Sequence, residues 1–122
     1  MSDRLPNYLK TFRKRTGISQ DDLALLLGAK SGAKVSRYER WSRRPALETA
    51  LAYEVIFRVP VKELFAGLYQ KVEKRVTKRV QKLARKLASA DPEQGTLRKL
   101  AFLQVLLSEP PDPQNASSWS SV

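Results

Sequence analysis

Glycine and proline cut residues 5–67 into short lengths, and within each length the apolar residues recur at steps of three and four. That spacing lines one face of an α-helix, and no length alternates with the period of two that a half-buried strand needs. The chain is therefore expected to be all-α. Its first helices are too short to stand alone in water, so they must share one core.

Leu5, Leu9 and Phe12 fall on one face of a first helix that stops at Gly17, a natural left-handed position. Ser19 and Asp22 have the spacing of a capping box and open a second helix, Gln20 to Leu27, with Leu23, Ala24 and Leu27 inward. Gly28 ends it. Ser31 is the expected N-cap of a third helix, Gly32 to Arg40, with Val35 and Tyr38 inward. Trp41-Ser42-Arg43-Arg44-Pro45 reads as a loop. A fourth helix is expected to turn Leu47, Leu51, Val55 and Ile56 to the core and to end before Pro60. Val61, Leu64 and Phe65 begin a fifth. Tyr38, Phe12, Phe57 and Phe65 read as core residues rather than stacking platforms.

Charge divides the rest of the chain. The 122 residues carry 23 Lys and Arg against 12 Asp and Glu, a net charge of +11. Residues 68–90 hold eight basic residues and one acid, Glu73, around a stripe of Leu68, Val72, Val76, Val80, Leu83 and Leu87. This is a long basic amphipathic helix, broken by Asp91-Pro92-Glu93-Gln94-Gly95. Thr96 is the expected cap of a last helix through Leu97, Leu100, Ala101, Leu103 and Leu107. A single amphipathic helix cannot bury its stripe alone. Either the last helix folds back on it or a second copy packs along it, and the pattern leaves both open. Residues 68–108 are thus the candidate oligomerisation segment. Residues 109–122, rich in Pro and Ser, are too poor in apolar residues to fold alone and are expected to be disordered. Trp119 within them is either idle or an anchor for a partner.

Composition removes several function classes. The chain has no cysteine and no histidine, hence no disulfide, thiol nucleophile, Cys/His zinc site or imidazole acid–base chemistry. The carboxylates are scattered and make no convergent catalytic set. No enzyme activity, cofactor or metal is expected. No apolar run approaches the roughly 18 residues of a membrane span, and the first residues show no apolar core of a signal peptide. The expected setting is the cytoplasm, in association with the nucleoid, because a charge of +11 calls for a polyanion.

Two short helices joined by a tight turn with Gly, within a five-helix apolar block, form a helix-turn-helix. The first helix of such a pair braces the second, whose N-terminal residues meet base edges in the major groove. Arg13-Lys14-Arg15-Thr16-Gly17-Ile18-Ser19-Gln20-Asp21-Asp22-Leu23-Ala24-Leu25-Leu26-Leu27-Gly28 resembles the opening of the phage-repressor-type (Xre/Cro-like) DNA-binding family. Val35-Ser36-Arg37-Tyr38-Glu39-Arg40 is similar to that family's third helix. The resemblance covers about residues 5–67 and implies a five-helix, lambda-repressor-like domain. Two departures stand out. Ala29 and Lys30 separate Gly28 from Ser31 where the family has one residue, which could tilt the presenting helix. Trp41 stands where the family commonly has Gly. A bulky residue is costly in the left-handed conformation, so the third helix is expected to run on or the loop to differ.

The resemblance also implies roles. Gly32, Ala33, Lys34 and Arg37 would face the bases, with Arg37 the best reader because a guanidinium can pair with guanine O6 and N7. Gln20, Lys30, Ser36, Arg40, Arg43 and Arg44 would contact the DNA backbone or support the readers. Arg13 and Glu39 would form a structural ion pair. The implied function is a sequence-specific double-stranded-DNA-binding regulator, a dimeric repressor on an inverted-repeat operator, joined through 68–108. The rival readings are an interaction or assembly protein, antitoxin-like or scaffolding, on a degenerate helix-turn-helix, and a non-specific nucleic-acid binder working through 68–90. Membrane-surface binding ranks below both, because the basic helix lacks Trp and Phe.

Overall fold

The computed structural model describes residues 5–89 and 94–108, and among them it shows seven α-helices and no strand. The helices are α1 (Leu9–Thr16), α2 (Gln20–Leu27), α3 (Gly32–Glu39), α4 (Leu47–Phe57), α5 (Val61–Leu64), α6 (Ala66–Ala88) and α7 (Gln94–Leu107). The all-α reading holds among the described residues. The chain forms two compact units divided between Val72 and Glu73.

In the first unit, punctuation sets the helix ends as the sequence implies. Gly17 and Gly28 both take left-handed conformations, at φ 83° and 74°. The Ser19 hydroxyl accepts from the Asp22 amide at 3.0 Å, and the Asp22 carboxylate accepts from the Ser19 amide at 3.2 Å, completing the capping box. The core gathers Leu9, Leu23, Ala24, Val35, Tyr38, Tyr53, Leu64 and Phe65. Phe12 and Phe57 pack at its edge. The most extensive helix–helix contact joins α2 to α3, the pair that carries the turn.

Three expectations change here. Leu5 is not on α1 but lies ahead of it, exposed. Its place is taken by buried Asn7, whose Oδ1 accepts from the Leu9 amide at 3.0 Å and whose Nδ2 donates to the Tyr38 carbonyl at 3.1 Å. The inward face of α4 is also different. Leu47, Leu51 and Val55 are exposed, while Tyr53 is fully buried, with Ala50, Ile56 and Phe57 against the core. An apolar helix offers periodicity no unique face. The aromatic ring decides: Tyr53 meets Tyr38 and Phe65 edge-on at 6.4 Å each, and Phe57 at 5.8 Å. Ser31 occupies the N-cap position of α3, but its side chain makes no capping hydrogen bond.

The second unit comprises the remainder of α6 and α7. The long basic helix starts at Ala66, two residues before the stripe begins. Gln94, Gly95 and Thr96 all lie inside α7, so Thr96 is not its cap; the expected break at Asp91–Glu93 falls outside the described residues. Among the described residues of this unit, Val80 and Leu103 are the buried apolar side chains. Val76, Leu83, Leu97, Phe102, Val105 and Leu106 are exposed. The disorder expected of 109–122, and the place of Trp119, fall outside the described residues. No helix among the described residues is long and apolar enough to cross a membrane.

Candidate nucleic-acid interface

The geometry of the site begins with Glu39, at the inner side of α3. Its side chain is 2% exposed. Arg13 on α1 donates to it twice, from Nε to Oε2 at 2.6 Å and from a terminal nitrogen to Oε1 at 3.3 Å. Gln20 on α2 donates from Nε2 to Oε1 at 3.1 Å. One carboxylate therefore ties three helices together. Arg13 also reaches the Ile18 carbonyl at 3.1 Å, fixing the bend into α2. The hydrogen bond to Glu39 is the largest influence on Arg13 and holds its pKa above the ordinary arginine value against the opposing effect of burial. The structural ion pair that the sequence implies is present, and Gln20 takes a supporting place on it.

Position Gly32 is set by a close approach. Its amide donates to Asp21 Oδ1 at 3.0 Å, so a carboxylate on α2 caps α3 in place of Ser31. A β-carbon at Gly32 would collide with Asp21 Oδ1 and stand 3.0 Å from the Asp21 amide nitrogen and 3.1 Å from the Gln20 carbonyl carbon. Gly32 is buried, which corrects its expected place among the base-facing residues. It sets how near the start of α3 comes to α2, and its amide is already engaged. Asp21 was missed from sequence because an acid in the first turn of α2 reads as an ordinary helix-start residue.

What α3 presents outward is a single face. Ala33, Ser36, Arg37 and Arg40 have the spacing i, i+3, i+4 and i+7; Ser36 is half-buried and the others are exposed. Lys34 lies half-buried on the flank, and Lys30 is exposed in the turn before the helix. Arg40 folds back weakly, Nε donating to the Ser36 carbonyl at 3.4 Å. The acid of α3, Glu39, is turned inward, so the outward face carries cations and no carboxylate.

The end of α3 corrects a second expectation. Trp41 adopts the left-handed conformation after all, at φ 62°. Its amide donates to the Tyr38 carbonyl at 3.1 Å and the Ser42 amide to the Arg37 carbonyl at 3.0 Å, the two bonds of a Schellman stop. A non-glycine residue costs roughly 1–2 kcal/mol in that conformation. Packing offsets the strain: the indole lies 6.0 Å from the Phe65 ring, and the Arg44 guanidinium sits 5.4 Å over it. The loop is thereby held, with Arg43 and Arg44 both exposed.

Comparison with known proteins agrees with this geometry. A family model described as helix-turn-helix, HTH_3, matches residues 9–64. No curated protein and no solved structure matches the chain. A domain of this kind is the DNA-binding part of a transcriptional regulator. The match spans α1 to α5 and stops where the long basic helix begins. Residues 9–64 are thus similar to a helix-turn-helix domain of the phage-repressor, Xre/lambda-repressor-like kind.

Proposed function

We propose that the protein is a sequence-specific regulator that inserts α3 into the major groove of double-stranded DNA and represses by occluding a promoter. The observation that carries this reading is the outer face of α3, where Arg37 and Arg40 point outward while Glu39 is held inside by Arg13 and Gln20. Arg37 reads guanine through a two-pronged hydrogen bond. Ala33 touches a thymine methyl group. Lys34 reaches a base edge or a phosphate. Lys30, Ser36, Arg40, Arg43 and Arg44 contact the sugar–phosphate backbone, and Gln20 supports the readers through Glu39. Phosphate contacts of this number make binding steeply dependent on salt. Two copies, joined through 68–108, occupy inverted half-sites about one helical turn apart.

Selection from random duplexes, followed by footprinting at physiological salt, tests the reading. A defined palindrome supports it. Binding without sequence preference that survives Arg37→Ala but is lost when the eight cations of 68–90 are replaced by Gln overturns it in favour of a non-specific binder.

A further inference from the structure

The cations of α6 are gathered on one side of the helix. Within the second unit, Lys74, Lys78, Lys82 and Lys86 form a row stepping by four, with Arg75 and Arg79 beside its start and Arg85 beside its end. At about 100° per residue these side chains share an arc of about 140° of the helix circumference, and all seven are exposed. Glu73, the one acid of α6, falls outside the arc. The arc lies away from the side that carries buried Val80 with Val76, Leu83 and Leu87. Such a face works against its own helix. Like charges three and four residues apart destabilise a helix, whereas Glu at the same spacings would stabilise it. A helix built only to stay in water gains nothing from a single sign. Among the described residues no ion pair relieves any of the seven, and they outnumber the five acids that residues 73–122 hold in sequence. Counter-charge for the whole face is therefore not available within this unit.

We infer that this face of α6 is a second, sequence-independent contact to double-stranded DNA, a rail of cations laid along the phosphates. The chemistry of the face selects its occupant. A helix at a membrane surface sinks its apolar side and keeps its cations at the edges of that side. Here the centre of the cation arc lies about 140° from the centre of the apolar stripe, so the two cannot meet one surface together. A protein partner is anchored by apolar and aromatic side chains, and the arc between Lys74 and Lys86 displays none. Phosphates ask for charge alone, and residues 9–64 match a helix-turn-helix model, so a duplex is the polyanion this chain is equipped to meet. From Lys74 to Lys86 the helix rises about 18 Å. A duplex carries one charge per about 1.7 Å of its axis, hence roughly ten over that length, of which roughly half face one side. Most of the rail therefore finds a phosphate. Where α3 reads sequence, the rail adds affinity that every duplex shares. The inference goes beyond the proposed reading of α3 and stands without it.

The test is binding of the full chain to a mixed-sequence duplex of about 30 base pairs, read by fluorescence anisotropy between about 50 and 200 mM salt. Three proteins are compared: the unaltered chain, the α6 variant Lys78→Gln with Lys82→Gln and Arg85→Gln, and a control, Lys10→Gln with Lys14→Gln and Lys62→Gln. Both variants lose the same charge, and Gln matches Lys and Arg in helix propensity, so far-UV helix content is retained. For the α6 variant the slope of log affinity against log salt is expected to fall by about 2–3, and affinity at the lowest salt by about tenfold or more. The control changes the slope by less than about 1. An unchanged slope for the α6 variant overturns the inference. So does an equal fall in both variants, which makes net charge rather than this face the cause. An α6 variant that binds the duplex unchanged but loses binding to phosphatidylserine vesicles overturns it in favour of a membrane. A selected palindrome with an unchanged α6 slope leaves the operator reading standing and removes the rail; a lowered α6 slope with no selected sequence does the reverse.

Discussion

Removing Glu39 tests whether the buried carboxylate clamps the three helices of the DNA-binding unit. In Glu39→Leu, the Arg13 guanidinium loses both of its carboxylate bonds while its side chain stays only 11% exposed. Breaking a buried ion pair from one side costs about 3–5 kcal/mol. Arg13 keeps its bond to the Ile18 carbonyl, which places the cost near the lower end, about 3 kcal/mol. Arg13→Met strands Glu39 with Gln20 as its remaining donor, at a similar cost of about 3 kcal/mol. The double variant removes both charges together and costs about as much as either single change, or less, so the coupling energy is about 3 kcal/mol. Urea unfolding followed by far-UV circular dichroism at neutral pH measures all four corners of the cycle. In a thermal scan the single variants lose about 12–24 °C in Tm, at 4–8 °C per kcal/mol for a domain of this size. Additive losses, or single losses below the 1 kcal/mol of an exposed pair, refute the clamp.

Four other changes have expected outcomes. Arg37→Ala lowers affinity for the selected duplex by about 1–3 kcal/mol and relaxes one base position, measured by titration against single-base variants of the site; equal loss on all sequences makes Arg37 a phosphate contact. Replacing Arg43 and Arg44 together by Ala weakens every duplex alike and reduces the slope of log affinity against log salt by about 2; an unchanged slope removes their phosphate role. Gly32→Ala destabilises by about 1–3 kcal/mol despite the better helix propensity of Ala, because its β-carbon meets the start of α2; a stabilised variant contradicts the close approach. Tyr53→Phe stabilises by about 1 kcal/mol at neutral pH, because the buried hydroxyl has no hydrogen-bond partner among the described residues. Burial, then the charge of Glu39, pushes the Tyr53 pKa well above the ordinary tyrosine value. The neutral ring is therefore favoured in the folded state, its contribution is complete below the unfolded pKa near 10, and it is lost as pH rises beyond that. Unfolding curves above pH 10 should fall more steeply for the unaltered chain than for Tyr53→Phe.

Legibility in the sequence followed the uniqueness of the local signal. The Ser19–Asp22 box, the two glycine stops and the boundaries of α2 are decided within a few residues, and all stand as read. The Arg13–Glu39 pair is separated by 26 residues and was legible only through family resemblance. In α4, apolar residues on most sides give the period no single face, and the choice falls to an aromatic cluster contributed by two other segments. Asp21 capping Gly32 belongs to the same class: the bond crosses between helices, and neither residue announces the other. At Trp41 the intrinsic cost of the backbone was read correctly and its consequence was not, because the compensating ring contacts are tertiary.

That tryptophan also makes the chain its own optical probe. The sequence holds two tryptophans, Trp41 and Trp119, so replacing Trp119 with Phe leaves a lone fluorophore at the exit of α3, with a guanidinium stacked upon it. A polyanion that draws Arg44 off the indole alters the emission at that spot, and the encounter with a duplex can then be timed in a stopped-flow cell without attaching any dye.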